Sequence, residues 1–361
     1  MTVVLLLHLD GKRDLPNLAL AKLAAWHHAR GDDVELRRVR RVEDLRPRLG
    51  DPAWGRVYGS LIFERTAPLA RAAAAQYPSI ELGGTGWAFE GGVQVRATEL
   101  PPEVAAMRPD FSIYPGFEAS LGYSQRGCRF KCSFCVVPRL EGRPRAESSL
   151  REIWRGPPWP RHIILLDNDF FGGPNWRDVI EEARAGAFKI SLIQGINARL
   201  LSEEAADALA SIKLMDTKFR RRRIYTAWDG RRDENVLFRG LERLTKPGRF
   251  SPDMLMVYML IGHEPGETHA DRDYRRRKLR EFGARPYPMP YVRTPELVAF
   301  QRWVVRRHDV QTSWEEFWGR AKGEPRRLGA RRVSLPLVDE ESVREPDSPV
   351  PGQQPLFREV A

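Results

Sequence analysis

Along the first 291 residues, short apolar runs alternate with longer stretches of helical period, and this alternation confines the chain to an α/β architecture with parallel strands. Residues 2–7 read as a buried strand, 16–29 as a helix with Leu18, Leu20, Leu23, Ala24 and Trp26 on its apolar positions, and 34–39 as the next strand after the turn Gly31-Asp32-Asp33. Strands at 56–63 and 79–82 flank an Ala-rich helix at 68–76, which completes a small open α/β sheet of flavodoxin/Rossmann-like pattern over residues 1–97. Gly83-Gly84-Thr85-Gly86 follows the last strand but lacks a full dinucleotide fingerprint, so it reads as a turn.

Pro101, Pro102, Pro109 and Pro115 interrupt any regular pattern between 98 and 116, which reads as a linker. A second βα series occupies 117–292, with strands at 119–123, 162–166, 189–194, 223–228, 255–261 and 286–291 and helices at 148–154, 176–185, 202–212, 234–244 and 269–282. Six strands alternating with helices predict a (β/α)6 partial TIM barrel, whose chemistry gathers at the carboxyl ends of the strands. Residues 293–321 form a helical extension whose aromatic stripe of Phe300, Trp303, Trp314 and Phe317 reads as packing, and 322–361 loses periodicity and reads as a flexible tail.

The chain has 361 residues, 42% of them apolar, with 10 Trp and 16 Phe, enough for a sizeable core. Val3 to Leu7, the longest early apolar run, has no cationic segment before it and stops at His8 and Asp10, which excludes a signal peptide or membrane span there and predicts a cytoplasmic protein. The formal charge is +11, carried by fifty Arg and only nine Lys. Such a balance suits a nucleic-acid or acidic partner, but Arg together with abundant Ala, Gly and Pro is also what coding bias supplies. Arginine runs at 37–41, 220–223 and 275–277 read either as an RNA-facing stripe or as solvated faces.

All three cysteines, Cys128, Cys132 and Cys135, fall within eight residues, a spacing that suits a metal better than a disulfide framework. Three thiolates on one loop can hold three irons of a 4Fe-4S cluster and leave the fourth open. A structural zinc ion needs four ligands, and no His or further Cys occurs between Cys135 and His162, so zinc would need a distant one.

At Cys128-Arg-Phe-Lys-Cys132-Ser-Phe-Cys135, with Phe134 before the last cysteine, Arg126-Gly127 ahead of it and Val136-Val137-Pro138 behind, the chain resembles the radical S-adenosylmethionine (SAM) superfamily over residues 117–292. That resemblance implies a SAM-binding set. Asp167, Asn168 and Asp169 end the second strand where the family holds the SAM amino group, and carboxylate and amide oxygens are suitable acceptors for an ammonium. Gln194, Asn197 and Arg199 end the third strand, Arg199 with a fork of donors for a carboxylate, and Asp229 ends the fourth where it would accept from a ribose hydroxyl. Gly262-His263-Glu264-Pro265-Gly266-Glu267-Thr268 looks like the family's Gly-x-Pro-Gly-Glu-Thr turn with one residue inserted, bringing Gly262, Pro265 and Gly266 near the adenine and His263 and Glu264 toward a substrate. The implied reaction is one-electron cleavage of SAM to methionine and a 5'-deoxyadenosyl radical that takes hydrogen from a substrate, fed by a flavodoxin- or ferredoxin-type one-electron donor. The sequence identifies no catalytic hydrogen donor and no substrate.

With every cysteine assigned, no thiol is left for a second cluster, which argues against methylthiotransferases and multi-cluster maturases. The N-terminal domain resembles the cobalamin-binding domain that precedes many such barrels, without the Asp-x-His-x-x-Gly that supplies a cobalt ligand, so a cobalamin-dependent radical methyltransferase stands as the alternative. A second alternative is a non-catalytic zinc-stabilised nucleic-acid-binding protein. Gln353-Gln354-Pro355-Leu356-Phe357 resembles peptides that dock on the bacterial sliding clamp, which adds the clamp as a candidate partner.

Overall fold

The computed structural model describes residues 1–9, 15–90, 93–96 and 99–321. The tail from 322 on, with the clamp-like peptide, lies outside the described residues. By its contacts the described chain divides into two compact units, residues 1–194 with 212–219 and residues 195–211 with 220–321.

In the first unit, β1 (Val3–His8), α1 (Leu18–Ala29), β2 (Asp33–Arg38), β3 (Arg56–Ser60), α2 (Ala67–Gln76) and β4 (Glu81–Gly83) build a parallel sheet of order β2-β1-β3-β4. The run of β1 is continuous because both faces are covered. Leu5 and Leu7 enter a core with Val57, Ala70 and Ala73, while Val4 and Leu6 meet Leu20, Leu23 and Ala24 of α1 on the other face. Asn17 starts α1 by accepting from the Leu20 amide at 3.2 Å, and Pro68 sits in the first turn of α2 where its missing N–H costs nothing.

The proline-interrupted segment before 117 packs rather than tethers. Phe111 and Tyr114 are buried with Ala21 of α1 and with Leu121 and Ile164 of a second sheet in the same unit. That sheet comprises β5 (Ser120–Gly122), β6 (His162–Leu165), β7 (Lys189–Leu192) and β8 (Lys213–Leu214), in parallel order β8-β7-β6-β5, with α3 (Trp176–Ala185) between β6 and β7. The two-residue strand β8 was not expected, because Lys213-Leu214 is too short to show a period of its own.

The second unit contains α4 (Glu203–Ala210), β9 (Ile224–Ala227), α5 (Glu234–Leu244), β10 (Leu255–Ile261), α6 (His269–Glu281), β11 (Arg285–Pro290), α7 (Pro295–Val305) and α8 (Trp314–Ala321). Its parallel sheet has the order β9-β10-β11. β11 tolerates Pro286, Pro288 and Pro290 because alternate residues of a strand address opposite sides: the prolines address the side away from β10, where the Pro288 carbonyl accepts from the Gln301 side chain at 2.9 Å. Phe300, Trp303 and Trp314 are buried against one another, with ring centroids 5.6–5.7 Å apart, so the aromatic stripe is core. The expected strands form in both units. No helix among the described residues is long and apolar enough to cross a membrane.

Candidate functional site

The cysteine loop leaves the carboxyl end of β5 and is pinned at both ends. Gln125-Arg126 pairs antiparallel with Arg145-Ala146, a short ladder that the sequence pattern did not reveal. Gly127 takes φ 86°, and a Cβ there would collide with the Arg143 carbonyl, while the Cys128 amide donates to the Gly142 carbonyl at 3.1 Å. The buried Glu141 carboxylate closes the base, accepting from the Gly127 amide and the Arg126 guanidinium, both at 2.8 Å, and from the Asn168 side chain at 3.0 Å.

Within this frame none of Cys128, Cys132 and Cys135 forms a disulfide, and all three are half-buried, as is Phe134. The Cys135 amide donates to the Cys132 carbonyl at 3.1 Å, and the Phe130 amide points at the Cys128 sulfur at 3.5 Å. Burial pushes the Cys128 thiol up to about 12, and the negative charges of Asp169, Cys135 and Cys132 push the same way. Burial therefore holds Cys128 as a neutral thiol, and a cationic group at the loop would stabilise its thiolate. Among the described residues no three His, Cys, Asp or Glu side chains close round one point as a single metal ion requires. A 4Fe-4S cubane makes a different demand, since each thiolate meets its own iron, and three thiols spread along one loop fit that donor set.

The acidic turn after β6 is turned inward. Asp167 accepts from the amides of Ser124 at 2.8 Å and Gln125 at 3.3 Å and from the Ser124 hydroxyl; burial nevertheless raises its pKa to about 7. Asp169 pairs with the Arg129 guanidinium at 3.0 Å and accepts from the Arg129 amide, and its carbonyl takes the Gln125 side-chain amide. Asn168 gives its side-chain nitrogen to Glu141. The three residues thus brace the cysteine loop. Beside them, two buried acceptors carry no hydrogen bond, Gln125 Oε1 and Asn175 Oδ1, and their amide nitrogens are committed to the Asp169 and Ser124 carbonyls. Gln194 ends the strand region of β7, half-buried.

In the second unit Arg199 is ion-paired with Asp233 at 2.6 Å, and Asn197 Oδ1 accepts from the Arg199 amide and Nε, both at 3.2 Å. Asp229 follows β9 with Oδ1 buried and without a hydrogen-bond partner; burial raises its pKa to about 6 against the opposing pull of Arg199 and Arg275. The turn after β10 is organised by Glu267, which accepts from the Gly262 amide and holds Arg275, whose guanidinium also donates to the Trp228 carbonyl at 3.1 Å. Gly262 and Gly266 take φ 74° and 78°; Pro265 and Gly266 are exposed. His263 packs at a tilt against Tyr291 with centroids 4.4 Å apart, and Glu264 lies against Gly230. Thr268 caps α6 in a box with Asp271. Glu141 and Arg275 were missed in the sequence. Glu141 has no motif, and Arg275 was hidden in an arginine run.

No protein-family model matches the chain, and no curated protein does. Among solved structures it is similar to the radical S-adenosylmethionine methyltransferase TsrM from Kitasatospora setae, with tryptophan substrate and a SAM analogue bound. The TM-score is 0.53 at 13% identity, over 81% of this chain and 73% of that one. Residues from 99 on are too few to supply that share, so the likeness of fold extends into the N-terminal sheet.

Proposed function

We propose that the chain is a radical SAM enzyme in which Cys128, Cys132 and Cys135 hold a 4Fe-4S cluster, with β5, β6, β7, β9, β10 and β11 as the six strands of the partial barrel of that fold. The observation that carries this reading is the cysteine loop itself: three thiols outside any disulfide, on a glycine-pinned loop at the carboxyl end of a parallel strand, in a fold similar to that of a radical SAM methyltransferase. When bound, the cluster with SAM on its open iron supplies one-electron cleavage of the sulfonium to a 5'-deoxyadenosyl radical, with the electron drawn from a flavodoxin- or ferredoxin-type donor.

The chain's own residues bind and orient. The Phe130 amide donates to the Cys128 sulfur and so favours the more negative state of that ligand. Asp167 and Asp169 hold the loop at the sheet edge, and the unsatisfied acceptors Gln125 Oε1 and Asn175 Oδ1 beside them have capacity for an ammonium. Asp229 Oδ1, bare and buried, suits a ribose hydroxyl, and the open backbone at Gly266 suits a flat base. Arg199 would meet a carboxylate only by sharing itself with Asp233.

Methyl transfer is the second reading, favoured because the likeness to a methyltransferase takes in the N-terminal sheet. Cobalamin would meet the carboxyl edge of that sheet, where residues 10–14 lie outside the described residues. At the switch point between β1 and β3, His8 is buried and packs edge-on against Tyr114, while Asn17 donates to the Ser60 hydroxyl at 3.0 Å and accepts its own cap.

Anaerobic reconstitution, iron and sulfide analysis and a dithionite assay for 5'-deoxyadenosine, with Cys132→Ala beside the wild type, test the main reading. About four irons per chain and turnover abolished by the substitution are expected. Zinc in place of iron, or a cluster that leaves SAM intact, overturns it. A methylated product without 5'-deoxyadenosine selects the second reading.

A further inference from the structure

The three arginine runs have different fates. Arg37 is buried and paired with Asp51 at 2.9 Å and with Glu35 at 2.7 Å. Arg275 is paired with Glu267, Arg276 with Asp273 at 2.7 Å and Asp309 at 2.9 Å, and Arg277 with Asp273 at 2.9 Å. Arg37 and the run at 275–277 are thus neutralised by carboxylates, while Arg40 and Arg41 are exposed.

In the run at 220–223, Arg223 is placed differently. Arg223, directly before β9, and Arg285, the first residue of β11, converge on a single backbone oxygen: the Asp253 carbonyl accepts from Arg223 Nη1 at 2.8 Å and from Arg285 Nε at 3.0 Å. A carbonyl carries no net charge, so two guanidiniums meet without a counterion between them. Arg221 and Arg307 are close enough that their charges, with that of Arg223, act on Arg285; the Asp253 carboxylate is the one opposing charge among the groups that act on it, and burial depresses Arg285 further. Arg307 adds a local cost, since it holds left-handed backbone at φ 57°, a conformation that disfavours any side chain. Arg221 and Arg307 are exposed. The cluster lies at the amino ends of the parallel strands, the opposite end from Asp229 and Gly262.

We propose that Arg221, Arg223, Arg285 and Arg307 form a binding patch for phosphate oxygens, presented by a nucleic-acid backbone or by a free phosphate compound. Two guanidiniums on one carbonyl, with two exposed ones acting on them, suit an anion with several oxygens and a dense charge. A phosphate supplies three or four such acceptors at once, whereas a surface carboxylate supplies two, and the planar fork of Arg matches phosphate bidentately. The two anchored guanidiniums each retain N–H donors beyond the one given to Asp253.

The test uses the full chain and does not depend on cluster loading, so it stands apart from the proposed reaction. A labelled single-stranded RNA oligonucleotide is titrated by fluorescence anisotropy across a salt series, and inorganic phosphate by calorimetry. Arg221→Ala with Arg307→Ala removes two exposed cations, and Arg277→Ala, which loses one already paired with Asp273, is the control. The double variant is expected to weaken RNA binding about tenfold at low salt and to lower the salt slope by roughly 1.4, about 0.7 for each lost contact, with the control unchanged. Phosphate binding lost in the double variant, with RNA no tighter than phosphate, assigns the patch to a free phosphate compound. Unchanged binding of both probes overturns the proposal. So does poly-glutamate competing as well as RNA, which would mark an acidic protein as the partner.

Discussion

Glu267 and Arg275 form an ion pair with both side chains almost wholly out of solvent, and through the Trp228 carbonyl that pair fastens the end of β9 to the turn that follows β10. Removing one partner strands the other. Glu267→Gln leaves a buried guanidinium without its counter-charge and is expected to cost about 3–5 kcal/mol in urea unfolding, while replacing both residues with Met restores most of that loss. Equal destabilisation by the single and double changes would show that packing, not charge, holds the turn.

Asp167 sets a pH dependence of stability. Its folded pKa, near 7, lies above the ordinary carboxylate value, so the folded state holds the proton more tightly than the unfolded chain and stability falls as pH rises from about 4 to 7. Asn can still accept from the Ser124 and Gln125 amides without a charge to bury. Asp167→Asn is therefore expected to flatten the decline, a difference of about 4 kcal/mol between pH 4 and 8 at most, read from urea midpoints. A variant that keeps the wild-type slope would remove Asp167 as its source.

Gly127 has φ 86° and the Arg143 carbonyl where a side chain would go. Gly127→Ala is expected to destabilise by about 1–3 kcal/mol and to lower iron retained after reconstitution, because the strain falls on the residue before Cys128. Iron analysis on folded material separates the two effects. Full loading would mean that the loop relaxes without moving the thiols.

Asp229 is a stability cost kept in place, since its buried Oδ1 has no partner and burial opposes its charge. Asp229→Asn is expected to leave thermal stability unchanged or higher and to weaken SAM binding roughly tenfold by equilibrium dialysis. Wild-type affinity in the variant would take Asp229 out of the ribose role.

What the sequence showed depended on the range of the interactions involved. The strand at Val3 to Leu7 and that at Leu255 to Ile261 are legible because burial on both faces writes an unbroken apolar run into neighbouring residues. The cysteine spacing is equally local. The roles of Asp167 and Asp169 are not, because their partners Ser124 and Arg129 lie 43 and 40 residues away, and composition alone cannot distinguish an acceptor for a ligand from an acceptor for the protein's own amides. The arginine runs show the same limit. Arg276 finds Asp309 and Arg285 finds Arg223 only once the chain has folded.

The alternating prolines of β11 have one more effect. With Pro286, Pro288 and Pro290 addressing the side away from β10, that margin lacks the row of amide donors that a foreign strand would need in order to dock. An unprotected strand margin is a template on which a second molecule can pair during folding. Here the primary structure disarms that template in three residues, so partly folded copies of the chain are denied a route to fibrous association along this border.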